Sequence, residues 1–234
     1  MNFAIRDAGL QEQMDDPECD VVLLWNTYRQ FTRVNRLLVG WRGIYRRMIR
    51  PLLCDRDRTY TLLDVGCGGG GMLPVLQRWA QQDGFTLNLT GIDTDPRFLS
   101  YVDEQIWPVG ISFRLGSSID LVCEGKRFDV VICNHVIHHL ANHEVRQLLD
   151  EVKTITRILA VISDPVRSRF AYLLFSMVAV PLFRDSFIAE DGQLSIRRSF
   201  RPSELRQLAP ADWDIVTRFP YRQFLVYRAQ ENTV

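Results

Sequence analysis

The sequence predicts an α/β fold in which a doubly wound, mostly parallel seven-stranded sheet is closed by a C-terminal antiparallel hairpin. Three observations predict it. Short apolar runs alternate with helical segments from residue 59 to residue 164, the pattern of a parallel sheet with crossover helices. A glycine string falls between the first apolar run and a helix. Near the C-terminus two strand-like runs are separated only by Tyr221 and Arg222, a spacing that permits a hairpin.

The elements follow in order. Residues 1–20 are acidic and irregular. From Phe31 the apolar positions Phe31, Val34, Leu38, Trp41, Tyr45 and Met48 recur at helical spacing, and Pro51 ends the helix. TLLDVGC (61–67) reads as a strand, followed by the glycine turn and a helix to about Gln82. LNLTGIDT (87–94) is a second strand, and Pro96 suits the first turn of the next helix. ISFRLG (111–116) is a third. FDVVICN (128–134) is almost wholly apolar, as a central parallel strand buried on both faces requires. Asn142 or His143 opens a helix over EVRQLLDEV, and RILAVIS (157–163) is the fifth strand. Beyond it come an apolar helical stretch with Pro181, a polar loop AEDGQLS, a short helix after Pro202, and the hairpin strands WDIVTRFP and QFLVYRA. The organisation expected is one domain: a helical lid (1–58), a core (59–164), a cap (165–202), and a closing helix and hairpin (203–234).

Composition narrows the function. The 28 basic and 28 acidic residues cancel, so no bulk charge draws the chain to nucleic acid. The five cysteines are odd in number and form no C-x-x-C pair, which argues against disulfides or a zinc ribbon and fits a reducing cytoplasm. The N-terminus lacks the basic-then-apolar layout of a signal peptide, and the longest apolar run is shorter than the roughly 20 residues a membrane span needs.

The sharpest motif is Asp64-Val65-Gly66-Cys67-Gly68-Gly69-Gly70-Gly71. Glycines between a strand and a helix let the backbone turn sharply and approach a ligand, with free N–H groups at the helix start. The string also satisfies G-x-G-x-x-G, the dinucleotide fingerprint. Asp64 separates the two readings: a carboxylate there repels a pyrophosphate but attracts an ammonium or sulfonium. Asp93 ends the second strand, where a carboxylate can accept hydrogen bonds from ribose hydroxyls. Asp95 is placed to cap the following helix.

LLDVGCGGG, TGIDTDP and FDVVICNHVIHHL together resemble the ordered motifs of class I S-adenosylmethionine-dependent methyltransferases of the small-molecule type, over residues 61–164. The resemblance implies a Rossmann-like fold and S-adenosyl-L-methionine as cofactor. It assigns the methionine end to the glycine turn (Asp64, Gly66, Cys67, Gly68, Gly70), the ribose to Asp93 with Thr94 beside it, and the methyl-transfer site to Asn134. The family often places an acid after the third strand to hold adenine. Here Gly116-Ser117-Ser118 stands instead, so Ser117 and Ser118, or Ile119-Asp120, are the candidates.

All four histidines fall between His135 and His143. No accompanying pattern suggests a metal, and none is expected. Removing a proton from a phenolic acceptor is the catalytic role considered, with His138 and His139 as candidates beside the alternative that they pack around the cofactor. Asp164 and Arg167, after the fifth strand, can contact substrate, or Asp164 can cap a helix. Solvated surface is the default reading for Arg167, Arg197 and Arg198.

The lid and cap are rich in aromatic residues, which favours a hydrophobic or aromatic small-molecule substrate. O-methylation is the expected reaction, with C-methylation of a quinone or lipid-like acceptor beside it. Arg29, Arg33, Arg36, Arg42, Arg46, Arg47 and Arg50 fall off the apolar stripe of 29–50. They form a solvated face, a peripheral contact with an anionic membrane, or a contact with an anionic acceptor or nucleic acid. RNA methylation is weakened by the neutral charge. Outside this class stand a dinucleotide-dependent oxidoreductase and a cofactor-binding protein without catalysis.

Overall fold

The computed structural model describes residues 2–35 and 39–230. Arg36 and Leu38 lie outside them.

Seven strands form one sheet in the order β3-β2-β1-β4-β5-β7-β6. They are β1 (Thr59–Val65), β2 (Thr86–Asp93), β3 (Ile111–Leu115), β4 (Phe128–Asn134), β5 (Thr156–Pro165), β6 (Trp213–Arg218) and β7 (Arg222–Arg228). The first five are parallel. β7 lies antiparallel between β5 and β6, as the hairpin spacing predicts.

Alternation along the strands sends side chains to two cores. Leu62, Leu89, Ile132 and Val161 face one side. There they meet Leu73, Leu76 and Ala80 of α3 (Leu73–Gln82), and Trp41 and Ile44 of α2 (Trp41–Ile44). Leu63, Val131, Cys133 and Ile162 face the other, against Leu148, Leu149 and Val152 of α6 (Asn142–Ile155) and Leu205 of α9 (Pro202–Leu208). Glu144 accepts the Ala141 N–H at 2.6 Å and fixes the start of α6.

Three elements differ from the sequence expectation. α1 begins at Val21 and ends at Val34, with Asp20 capping its first N–H groups. Gly40, at φ 72°, then turns the chain into α2, so the stripe from Phe31 to Met48 is not one helix. AEDGQLS is not a loop but part of α8 (Ile188–Arg198), because Ile188 and Ile196 give it a buried face. A short helix, α5 (Ser118–Cys123), follows β3 and is held by Leu121 in the second core.

The remaining helices frame the carboxyl ends of the strands. α1 packs on α4 (Arg97–Asp103) through Leu24, Tyr28, Phe98 and Tyr101, and α7 (Arg169–Leu182) packs on α8. Among the described residues no helix is long and apolar enough to cross a membrane.

Candidate functional site

The strand order reverses between β1 and β4, the point in open α/β sheets where ligands bind. A cleft of about 890 Å³ opens there, walled by the glycine turn, the loops after β2, β4 and β5, and by α1, α7 and α8.

The turn is set by backbone geometry. Gly66 takes φ 69°, and a Cβ on it would lie 2.4 Å from Val136 Cγ2, so only glycine fits. Gly66 and Cys67 donate to the Ile92 carbonyl, at 2.9 and 3.0 Å, which ties the turn to β2. Asp93 completes the tie: its Oδ2 accepts the Gly68 N–H at 2.8 Å and its Oδ1 the Asp95 N–H at 3.0 Å. Asp64, Gly66, Cys67, Gly68, Asp93, Thr94 and Asn134 all line the cleft. Gly70 does not. It packs behind the wall, where a Cβ would strike Phe113 at 2.3 Å.

Asp64 is buried and accepts no hydrogen bond among the described residues. Burial, and then the charge of Asp93, push its carboxyl up to about 8. Such a group gains from a cation brought against it.

Ser117 and Ser118 lie away from the cleft lining. The carboxylate of Asp120 takes both the N–H and the hydroxyl of Ser117, at 2.8 Å each, while Ser118 donates to Glu151. Their hydroxyls are spent on starting and anchoring α5, so the adenine assignment to them is not supported by position.

The histidines divide into two settings. His138 is 1% exposed and held between carboxylates, with Nδ1 2.7 Å from Asp164 Oδ1 and Nε2 3.3 Å from Glu12 Oε1. Burial disfavours its charge, but Asp164 and Glu12 outweigh that and raise the ring to about 9. A ring held protonated in this way is a poor proton acceptor at neutral pH. His139 sits against Asp15, with Nδ1 2.9 Å from Oδ2. The setting of His138 does not favour the general-base role considered for it, while His139 lines the cleft with its Nδ1 oriented by Asp15.

Glu12, His138 and His139 bring one ligand atom each within 4.8 Å of one another, a grouping that can hold a cation. Positive charge is already supplied there by Arg198, whose Nη1 is 3.1 Å from Asp15 and 3.6 Å from Glu12.

His135 differs. It adopts φ 61°, rare for a residue with a side chain, and its N–H donates to the Ser163 carbonyl at 2.9 Å. Burial, and then the charge of Arg222, hold its ring well below 6.5 and so neutral. Its Nε2 is buried with no hydrogen-bond partner among the described residues.

Several site residues carry no signal in the sequence. Glu12 and Asp15 come from the segment read as irregular, which is strapped down by Arg6 to the carbonyls of His138, Leu140 and Arg198. Asn35 Oδ1 accepts from Asn134 Nδ2 at 2.7 Å. Arg198 is buried rather than solvated, and so is Arg167, which pairs with Glu204 and does not reach the cleft. Asp164 lies behind His138 rather than at the cleft surface.

Residues 63–160 match the sequence model of the methyltransferase domain family. The chain carries a class I S-adenosylmethionine-dependent methyltransferase domain. It is 32% identical over 113 residues to the ubiquinone biosynthesis O-methyltransferase of Azorhizobium caulinodans, covering 47% of this chain and 40% of that protein. It is 37% identical over 118 residues to the protein of the same name in Rickettsia bellii, covering 48% and 45%. The chain thus spans less than half the length of these curated relatives.

Solved methyltransferases share the fold. A plantazolicin methyltransferase in complex with SAH superimposes with a TM-score of 0.55 at 14% identity, covering 90% of this chain and 95% of that one. The magnesium protoporphyrin IX methyltransferase of Synechocystis gives 0.51 at 14% identity, covering 86% and 84%.

The methyltransferase domain fits its cofactor at two points. Asp64 offers an unbonded buried carboxyl for the ammonium. Asp93 accepts one N–H on each oxygen, from Gly68 of the turn on Oδ2 and from Asp95 after β2 on Oδ1, and would keep a lone pair on each for ribose.

Proposed function

We propose that this protein transfers the methyl group of S-adenosylmethionine to an oxygen of a small hydrophobic or aromatic molecule. The supporting observation is the cleft itself, which runs from the glycine turn to an apolar wall of Phe31, Leu174, Phe175 and Val178. When bound, S-adenosylmethionine would supply an electrophilic methyl: an acceptor oxygen lone pair would form the O–C bond as the C–S bond breaks and its electrons pass to the departing thioether, any proton on that oxygen being released. The chain's own part is to hold the two partners in line and to exclude water, which can supply much of the rate.

Calorimetric titration with S-adenosylmethionine, S-adenosylhomocysteine and NADH tests this. Micromolar binding of both adenosyl ligands and none of NADH is expected. NADH binding alone would make the domain a dinucleotide site. Tight cofactor binding with no methylated product from a panel of hydrophobic phenols would leave a binding protein.

The same titration at pH 7 carries a further expectation. Asp64 is protonated below about 8 without ligand, and the incoming ammonium draws it to the carboxylate. Comparing buffers of different ionisation enthalpy should reveal release of about one proton per cofactor bound, absent in Asp64→Asn. Equal release by both proteins would detach Asp64 from the ammonium.

A second reading, methylation of a lipid-like or quinone acceptor at a membrane surface, is favoured by α7. Ala171, Leu174, Phe175 and Val178 face the cleft, while Phe170 (70% exposed), Leu173, Met177 (69%) and Val180 face outward between Arg169 and Arg184. Co-sedimentation with anionic but not zwitterionic vesicles, abolished by Phe170→Ser with Met177→Ser, is the expected result. Failure to sediment with either removes this reading.

A further inference from the structure

Three arginines are buried around the cleft end of the sheet, and they are not alike. Arg167 pairs with Glu204 and donates to the Ser199 carbonyl. Arg198 pairs with Asp15 and Glu12. Arg222, the first residue of β7, is 6% exposed and has no carboxylate within ion-pair distance among the described residues.

Its Nη2 donates to Ser163 Oγ at 2.8 Å and to Asn134 Oδ1 at 3.3 Å. Both acceptors are neutral. Nε is buried with no partner, and Nη1 makes no hydrogen bond among the described residues. Arg222 therefore reaches the cleft wall beside Asn134, with two donors uncommitted and its charge uncompensated by contact. A guanidinium taken out of water without a bonded anion is costly, and such groups are retained where a ligand supplies the anion.

The charges around it define what that ligand can be. Asp64 and Asp93, across the glycine turn, serve a cofactor that brings an ammonium and a sulfonium. A second cation at Asn134 is repelled by that sulfonium unless an anion lies between them. Asp164 attracts Arg222 only at longer range, and His135 stays neutral beside it.

We infer that Arg222 is an anion-binding subsite for the methyl acceptor, which enters the apolar cleft with an ionised acidic oxygen, carboxylate or phenolate, on Nη1. The inference rests on the proposed methyl transfer and names its substrate class. An acceptor arriving ionised needs no general base, consistent with a His138 held protonated by its two acids. Methylating the anchored oxygen cancels its charge, so the product loses its hold on Arg222.

Binding to the protein saturated with S-adenosylhomocysteine tests this without turnover. Two probe pairs distinguish the oxygen types: para-butylbenzoate against para-butylbenzamide, and para-nitrophenol followed by the visible absorbance of its anion. The acid should bind about 10- to 100-fold more tightly than the amide, or the bound nitrophenol should be ionised at a pH where it is neutral in solution. A carboxylate-specific subsite gives the first result, a phenolate-specific one the second.

Arg222→Gln should abolish the preference and Arg222→Lys should restore part of it. Unchanged affinity for S-adenosylhomocysteine and an unchanged melting temperature would show both variants folded. Equal binding of acid and amide together with no shift in nitrophenol ionisation overturns the inference, as does a preference that survives Arg222→Gln. Neither result touches the cofactor, because failure of the methyl-transfer reading would show in the unmodified protein, either as no binding of S-adenosylhomocysteine or as no methylated product from bound S-adenosylmethionine.

Discussion

Asp93→Ala is expected to weaken S-adenosylmethionine binding about 100-fold, or about 2.7 kcal/mol, measured calorimetrically. Loss of hydrogen bonds to ribose hydroxyls accounts for about tenfold or more. The structure adds a second loss, because the same carboxylate accepts the Gly68 and Asp95 N–H groups. Without it the turn is tied to β2 by the bonds from Gly66 and Cys67 to Ile92. Asp93→Asn separates the two effects. Its amide oxygen can retain one N–H while its NH2 opposes the other, so an intermediate loss is expected. Unchanged affinity in Asp93→Ala would remove both roles.

The second large effect concerns folding. Asp164→Ala leaves the fully buried His138 with Glu12 as its one remaining carboxylate partner among the described residues, and removes the attraction that Asp164 exerts on Arg222. Breaking a buried ion pair from one side costs about 3–5 kcal/mol, a large share of the 5–15 kcal/mol that holds a typical domain together. Urea denaturation should register it. The pair also sets a pH dependence. His138 is raised from 6.5 to about 9 in the folded protein, so its contribution is complete below about 6.5 and is lost as pH rises through 9. In Asp164→Asn the decline between pH 7 and 9.5 should flatten. A decline identical to that of the unmodified protein would place its origin elsewhere.

The sheet was legible because its signals are local. The central strands β1, β4 and β5 are runs of apolar residues buried on both faces, β2 alternates buried with exposed positions, and the turn needs glycines at fixed offsets. Asp64 and Asp93 were legible for the same reason, since strand ends fix where they point. The acceptor end was not. Glu12, Asn35, Arg198 and Arg222 lie far apart in sequence and meet only through the packing of α8 and β7, and no period or spacing records such a meeting. The histidines mislead in the opposite way. Their clustering advertises chemistry, yet His138 is engaged by Asp164 and Glu12, while the unengaged ring belongs to His135. Ser117 and Ser118 stand where an adenine contact is sought, but a serine with an aspartate three residues on is also a helix start, and here that use prevails.

α7 is a partition one helix thick. A helix with its side chains is about 10–12 Å across, so a molecule lying on the outer face of Phe170 and Met177 is separated from the inner chamber by little more than its own width. No long tunnel is required to bring an oily compound from the outside to the methyl donor. An oily acceptor of the proposed kind would thus have one helix between it and the cleft.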